Sequence, residues 1–319
     1  MNGSNAGAFD KHLKPGRFTS KIKNSVIKNW ELYLFCIPGL VLLIIFYYIP
    51  MFDGILMSFK DYKPRLGVIG SPWIGLHNYR LFLSSFYFWN YLINTLRTSL
   101  YSISVSFPLP IVFAIMVNSL RPKILKRPVQ TISYAPNFVS VVVVIGMINL
   151  FFSDVGLINN VIRFFGKDTV MFFAKGSNFT HFYAWSGVWQ TLGYSSILYL
   201  AVLSNVDVQQ LEAATIDGAT KMQKIIHIEF PTLIPTATIM LIFNIGNIMG
   251  PLFEKILLLQ NAVNLDYSEV ISTYVYKVGI INSKFSFSAA VGMFNSVANF
   301  ILLTAANLIA RKVGETSLW

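Results

Sequence analysis

Polar and apolar positions along the chain separate into long blocks. Stretches without Asp, Glu, Lys or Arg run over 32–52, 98–120, 128–153, 176–206, 230–253 and 285–310. A helix needs about 20 mainly apolar residues to cross the hydrocarbon layer of a bilayer. All six stretches reach that length, so the pattern predicts six transmembrane helices over residues 32–310. Strict alternation of apolar and polar residues, the mark of a transmembrane barrel, is absent. The expected fold class is an all-α membrane protein. The first run is too long for a signal-peptide core and no small-x-small cleavage pattern follows it, so it reads as an uncleaved span.

Composition agrees with the pattern. Hydrophobic residues make up 54% of the 319 positions, charged residues only 12%, and the mean hydropathy is +0.57. An ordinary soluble chain carries about 25% charge. Disorder, a disulfide-built module and most soluble enzymes are excluded. The one cysteine, Cys36, rules out an intrachain disulfide and a thiolate metal cluster.

The formal net charge is +11, and its placement decides its meaning. Dense basic clusters occupy Lys11–Lys28 and Arg121–Arg127, with smaller ones at Lys221 and Lys224 and at Arg311 and Lys312. Basic residues collect on the cytoplasmic side of membrane proteins. The excess therefore reads as an orientation signal, with no nucleic-acid partner implied. Both termini are expected in the cytoplasm, as a basic tail over 1–31 and a short tail over 311–319.

Between the runs, Ile158, Val161, Ile162 and Phe165 repeat at helical spacing between Gly156 and Gly166, which predicts a short amphipathic helix on the outer face. The connection from Lys60 to Trp89 holds Pro64, Gly67, Gly70, Pro72 and Gly75 and is expected to be mostly turns. The cytoplasmic connection 207–231 is better punctuated. Asp207 with Gln210, and Thr220 with Gln223, have the spacing of capping boxes. Gly218 between them permits a sharp turn. The expected order is helix, glycine turn, helix, and a rise into the fifth span at Pro231. Small residues Ala213, Ala214, Gly218 and Ala219 would let another protein approach closely.

This connection resembles the EAA loop of bacterial ATP-binding-cassette (ABC) importer permeases, whose pattern is EAA-x3-G-x9-I-x-L-P. Glu212-Ala213-Ala214, Gly218 and Ile228-Glu229-Phe230-Pro231 stand at the matching spacing, with Phe230 in place of the usual Leu. Phrases such as IPGLVLLIIFYYIPMF, SPWIGLHNYRLF, VQTISYAPNFVSVVVV and STYVYKVGI extend the resemblance over nearly the whole chain. They are similar to the branch that imports complex oligosaccharides. The resemblance implies the type I ABC importer permease fold in a bacterial cell membrane. It implies a second homologous permease, two ATP-binding subunits, an extracytoplasmic solute-binding protein and an oligosaccharide substrate. It also implies that Glu212, Ala213, Ala214 and Gly218 seat in the ATPase, with Asp217 beside them either facing that subunit or capping a helix. A seated helix can pass rigid-body motion into the membrane.

The chain contains no G-x4-G-K-[ST] phosphate loop, no metal spacing among His12, His77, His181 and His227, and no G-x-S-x-G elbow. Neither enzymatic activity nor a cofactor is expected. Polar residues inside spans mark a lining or a helix contact. Trp189, Gln190 and Tyr194 in the fourth run suit an oligosaccharide path by stacking and hydrogen bonding, and Gln190 fits interhelical hydrogen bonding as well. Asn244 and Asn247 in the fifth lie at i, i+3 and fit either a cavity lining or interhelical hydrogen bonds. Gly246-x3-Gly250 followed by Pro251 predicts close packing and a bend at the outer end. Glu254 stands at the outer water boundary or the cavity mouth, facing away from Lys255. Arg97, near the outer start of the second span, fits a snorkelling side chain or a contact with a charged or hydroxylated substrate at the cavity mouth. Pro108, Pro110 and Pro136 are expected to break the helical ladder. An ion-coupled secondary transporter is the alternative, but no acidic residue lies inside the six runs. A non-transporting membrane scaffold is the third class.

Overall fold

A computed structural model describes residues 28–120, 123–251, 253–314 and 318. The basic positions before Lys28, Arg121, and residues 315–317 and 319 of the expected cytoplasmic tails lie outside them. The described residues form helices and no named strand.

The chain divides into two units, 1–56 and 57–319. In the first unit, helix α1 (Trp30–Ser58, its last two residues in the second unit) is the first apolar run, and none of its most apolar window is buried. A π segment, Ile44–Tyr48, precedes Pro50 by two residues. Proline removes an N–H and clashes with the preceding turn, and a widened turn accommodates both.

In the second unit, three further helices are long and apolar enough to span: α2 (Phe88–Asn118), α8 (Lys221–Gly246) and α11 (Phe285–Val313). The third run is not one straight span. It forms α3 (Ile124–Phe138) and α4 (Val141–Phe151), bent by 97°. Pro136 lies in the 3-10 segment Ala135–Phe138, and Ser140 caps α4 by accepting from Val143 N. The fourth run forms α6 (Asn178–Ser204), 27 residues and about 40 Å long. Its aromatic and polar content holds it below the apolarity of the others. The count is four such spans, or five with the bent pair; six was expected. Pro108 only dents α2, because its missing N–H falls at the start of a new helical stretch.

Short elements complete the unit: α5 (Leu157–Phe164), α7 (Val208–Ile216), α9 (Phe253–Leu259) and α10 (Ile271–Ile281). α5 is the expected amphipathic helix, and its Asn159 is fully buried. The segment between Lys60 and Trp89 holds turns, but also a helix at His77–Leu83.

α6 is the axis of packing. Tyr199 and Leu203 near its last turns meet Ile111 and Ala114 of α2 and Leu233 of α8. Phe179 and Tyr183 at its other end meet Val144, Ile145 and Ile148 of α4 and Ile256 and Leu259 of α9. At its middle, a Cβ on Gly193 would stand 2.2 Å from the Ser133 carbonyl oxygen of α3, so only glycine allows that approach. Elsewhere Phe82, Phe88, Met249, Ile271 and Val291 form a separate cluster.

Candidate functional site

Two regions at opposite ends of α6 carry the chemistry. The first is the connection after Ser204. Asp207 caps α7, accepting from Gln209 N at 2.9 Å. Gln210 does not close a box there, in contrast to Thr220 and Gln223, which form a complete capping box. Gly218 has φ +78°, a left-handed conformation that side-chain-bearing residues rarely adopt. The second helix does not stop before Pro231. Lys221 begins α8, and a π segment, Ile225–Glu229, carries the helix on into the span. Pro231 follows that segment by two residues, as Pro50 does in α1.

α7 has no buried residue, and Val208 and Ile216 are exposed. The carboxylates of Glu212 and Asp217 make no hydrogen bond or ion pair among the described residues. Asp217 sits at the α7 C-cap, where only its backbone N–H bonds, to Ala213 O. The loop is anchored behind this surface. Lys221 Nζ donates to Ser119 O at 3.4 Å, at the C-terminus of α2, where a cation complements the helix dipole. Asn118 Nδ2 donates to Glu229 Oε1 at 3.4 Å, and Lys224 Nζ donates to Thr215 Oγ1 at 2.6 Å. α7 is thus an uncovered element bonded through Thr215 to the start of α8, which Lys221 and Glu229 in turn tie to the end of α2.

The second region is at the Asn178 end of α6. A cavity of about 770 Å³ opens between α4 and α6, lined by Phe151, Phe152, Phe182, Trp185 and Trp189 among others. Trp185 Nε1 donates to Tyr101 Oη at 3.2 Å, and Tyr101 Oη lies 2.8 Å from His181 Nδ1. Close by, Lys255 of α9 is only 3% exposed, its Nζ 5.3 Å from the Tyr183 ring centre and without a carboxylate among the described residues. Burial pushes its ammonium down to about 8.

The comparisons with known proteins bear on this arrangement. The family described as "Binding-protein-dependent transport system inner membrane component" matches residues 106–315. The chain belongs to that family. It is a permease subunit of an importer that works with a solute-binding protein, and a multi-pass membrane protein. Among its relatives is the polygalacturonan/rhamnogalacturonan transport system permease protein YteP of Bacillus subtilis, 38% identical over 92% of each chain. The protein LplB of the same organism is 37% identical over 90% of this chain and 91% of its own. A crystal structure of a bacterial alginate ABC transporter, in complex with alginate pentasaccharide-bound periplasmic protein, contains a chain that is 32% identical. Its TM-score is 0.84, covering 92% of this permease and 99% of that chain.

The permease brings together some of the residues singled out from its sequence and separates others. Trp189 lines the large cavity. Gln190 does not; its Nε2 donates to Val139 O at 2.7 Å and clamps the bend between α3 and α4. Tyr194, five residues beyond Trp189, is rotated from it by about 140° and lies exposed. α8 ends at Gly246, so Asn247 is its C-cap and Gly250 lies outside the helix. The expected bend is a helix end. Close packing holds at Gly246, where a Cβ would meet the Leu303 side chain of α11 at 2.6 Å. Asn244 and Asn247 bond to their own helix, at Met240 O and Phe243 O, and not across helices. Glu254 is exposed while Lys255 is buried.

Arg97 is exposed, and its guanidinium has protein partners. It binds Asn94 Oδ1 and Tyr267 O. Tyr101, Thr180 and Tyr267 were not singled out from the sequence. The spacing His181-x3-Trp185-x3-Trp189, one face of a helix, was the available signal. The meeting of Lys221 with Ser119 and of Glu229 with Asn118 carried no signal, because it depends on how α2 and α8 pack.

Proposed function

We propose that this permease, paired with a second homologous permease, forms the path for an oligosaccharide and takes ATP-driven motion from two ATP-binding subunits through the 207–231 connection. The observation that carries this reading is α7: a capped helix with no buried residue, bonded through Thr215 to the start of α8, which is itself tied to the end of α2. Glu212, Ala213, Ala214, Asp217 and Gly218 present the docking surface. Both termini then lie in the cytoplasm on the same side as this loop. Transport of an oligosaccharide follows the named activity of the polygalacturonan/rhamnogalacturonan relative. It is supported by the aromatic faces of Trp185 and Trp189 in the large cavity, which suit stacking on sugar rings. Tyr194, Asn244, Asn247 and Glu254 complete the candidate path on the surface a partner would cover.

Two variants test the coupling assignment. Glu212→Lys reverses charge on the exposed face of α7. Gly218→Val forces a branched residue into φ +78°, costing about 1–3 kcal/mol locally. Both are expected to leave membrane insertion intact and to reduce ATPase co-purification and labelled oligosaccharide uptake. Full ATPase retention with normal uptake in both would remove the loop from the mechanism.

A further inference from the structure

A smaller cavity of about 210 Å³ adjoins the large one at His181. It is lined by Arg97, Tyr101, Ser177, Thr180, His181 and Tyr267. It lies at the end of α6 opposite the coupling loop, some 40 Å away along the helix. In the proposed orientation that is the end facing the solute-binding protein.

Its chemistry is unbalanced in one direction. Arg97 Nη2 donates to Asn94 Oδ1 at 2.8 Å and to Tyr267 O at 3.3 Å. A guanidinium has five N–H donors. Those on Nε and Nη1 have no partner among the described residues, and no carboxylate pairs with the charge. No acidic side chain lines the cavity. Glu269 is held by Lys277 at 2.5 Å, and Asp266 lies outside the lining. The hydroxyls of Ser177 and Thr180 have no partner among the described residues, although Thr180 is only 8% exposed. The Tyr267 ring lies 5.0 Å from the guanidinium carbon, packs against Gly176 at one edge and is 39% exposed.

Attachment of the Tyr267 segment does not account for Arg97. Asn94 Nδ2 already ties that segment to α2 through Asp266 O at 2.7 Å and Glu269 O at 3.1 Å. What remains is an unpaired cation, two free hydroxyls and an aromatic face around one cavity. A ligand that satisfies all three bears a carboxylate, several hydroxyls and a ring.

We propose that this cavity binds a carboxylate-bearing ring of an acidic oligosaccharide, with Arg97 reading its charge and the adjoining aromatic cavity taking the neighbouring rings. This rests on the oligosaccharide reading above. A charge-assisted contact from a guanidinium is stronger than a neutral one and penalises a ligand without the anion.

The test uses the assembled transporter in nanodiscs of phosphatidylcholine, which keeps anionic headgroups away. Trigalacturonate, its fully methyl-esterified form and maltotriose are titrated, and binding is read by intrinsic tryptophan fluorescence and by calorimetry. Trigalacturonate is expected to bind at least tenfold more tightly than the other two. Arg97→Gln is expected to abolish that preference, and Arg97→Lys to keep part of it, with ATPase co-purification normal in both. Equal affinity for acid and ester, a preference unchanged in Arg97→Gln, or no binding of trigalacturonate overturns the inference. Uptake with the solute-binding protein present separates this from the reading beneath it. Uptake of neutral oligosaccharides alone sinks only the acidic assignment. Uptake of no oligosaccharide of either class sinks the oligosaccharide reading itself.

Discussion

At the residue scale, single side chains hold the geometry that the site depends on. Gln190 sits in a run that reads as apolar, and its amide fastens the Val139 carbonyl at the 97° bend. Gln190→Leu leaves that carbonyl unpaired, at about 1–3 kcal/mol. A lower thermal midpoint of the purified transporter is expected, and an unchanged midpoint would show that the bend does not need the clamp. Lys255 makes the opposite case. Its charge is buried at 3% exposure without a counter-ion, so Lys255→Met should raise the midpoint. Its folded pKa, about 8, lies below the ordinary lysine value. Between those two values the unfolded chain binds more protons than the folded one, so stability gains from Lys255 as pH rises through that window. The gap between the parent chain and Lys255→Met should therefore narrow from pH 8 to 10 in thermal melts. A gap that widens would contradict the burial account.

At the scale of elements, the coupling role proposed for the 207–231 connection rests on its caps and its attachment. Caps at Asp207 and Thr220 stop fraying, and Gly218 turns the chain between the two helices. Attachment comes from Lys221 on the Ser119 carbonyl, worth about 0.3–1 kcal/mol as a cation at a helix C-terminus. Lys221→Met should leave α7 able to dock but slacken its link to α2. The expected result is more ATP hydrolysed per oligosaccharide imported by the reconstituted transporter. An unchanged ratio would mean that motion passes through α8 alone. The π segments at Ile44–Tyr48 and Ile225–Glu229 have a shared cause, since each stands two residues before a proline inside a span.

For the whole molecule, the basic clusters and the coupling loop assign one side to the cytoplasm. In a Cys36→Ser background, Leu76→Cys and Ile124→Cys should label from opposite sides with a membrane-impermeant maleimide. Labelling of both from outside would reverse or break this topology. The chain also lacks a phosphate loop, so the purified permease alone should hydrolyse no ATP. Hydrolysis at the rate of the complete importer would overturn the division of labour between subunits.

Much of this was legible along the chain because it depends on local or periodic properties. Apolar runs locate spans since the bilayer fixes a length and a polarity. Capping residues and Gly218 locate the coupling helices since they act within one turn. The Thr220 box is present as its spacing predicts; the Asp207 box is not, because the Asp207 carboxylate reaches Gln209 N instead. What needed the tertiary structure involves partners far apart in sequence. Gln190 fitted either a path or an interhelical hydrogen bond along the chain, and only the fold shows its partner, a carbonyl 51 residues away. For Arg97 the sequence showed no partner, because Tyr267 lies 170 residues along the chain. The number of straight spans changed because a bend is set by Pro136 together with that distant clamp, and hydropathy does not register direction. By itself the sequence determined where the long apolar segments lie and where caps and a glycine turn punctuate the 207–231 connection. The tertiary structure alone decided which polar side chains stay free, because a free donor is defined by what fails to pack against it.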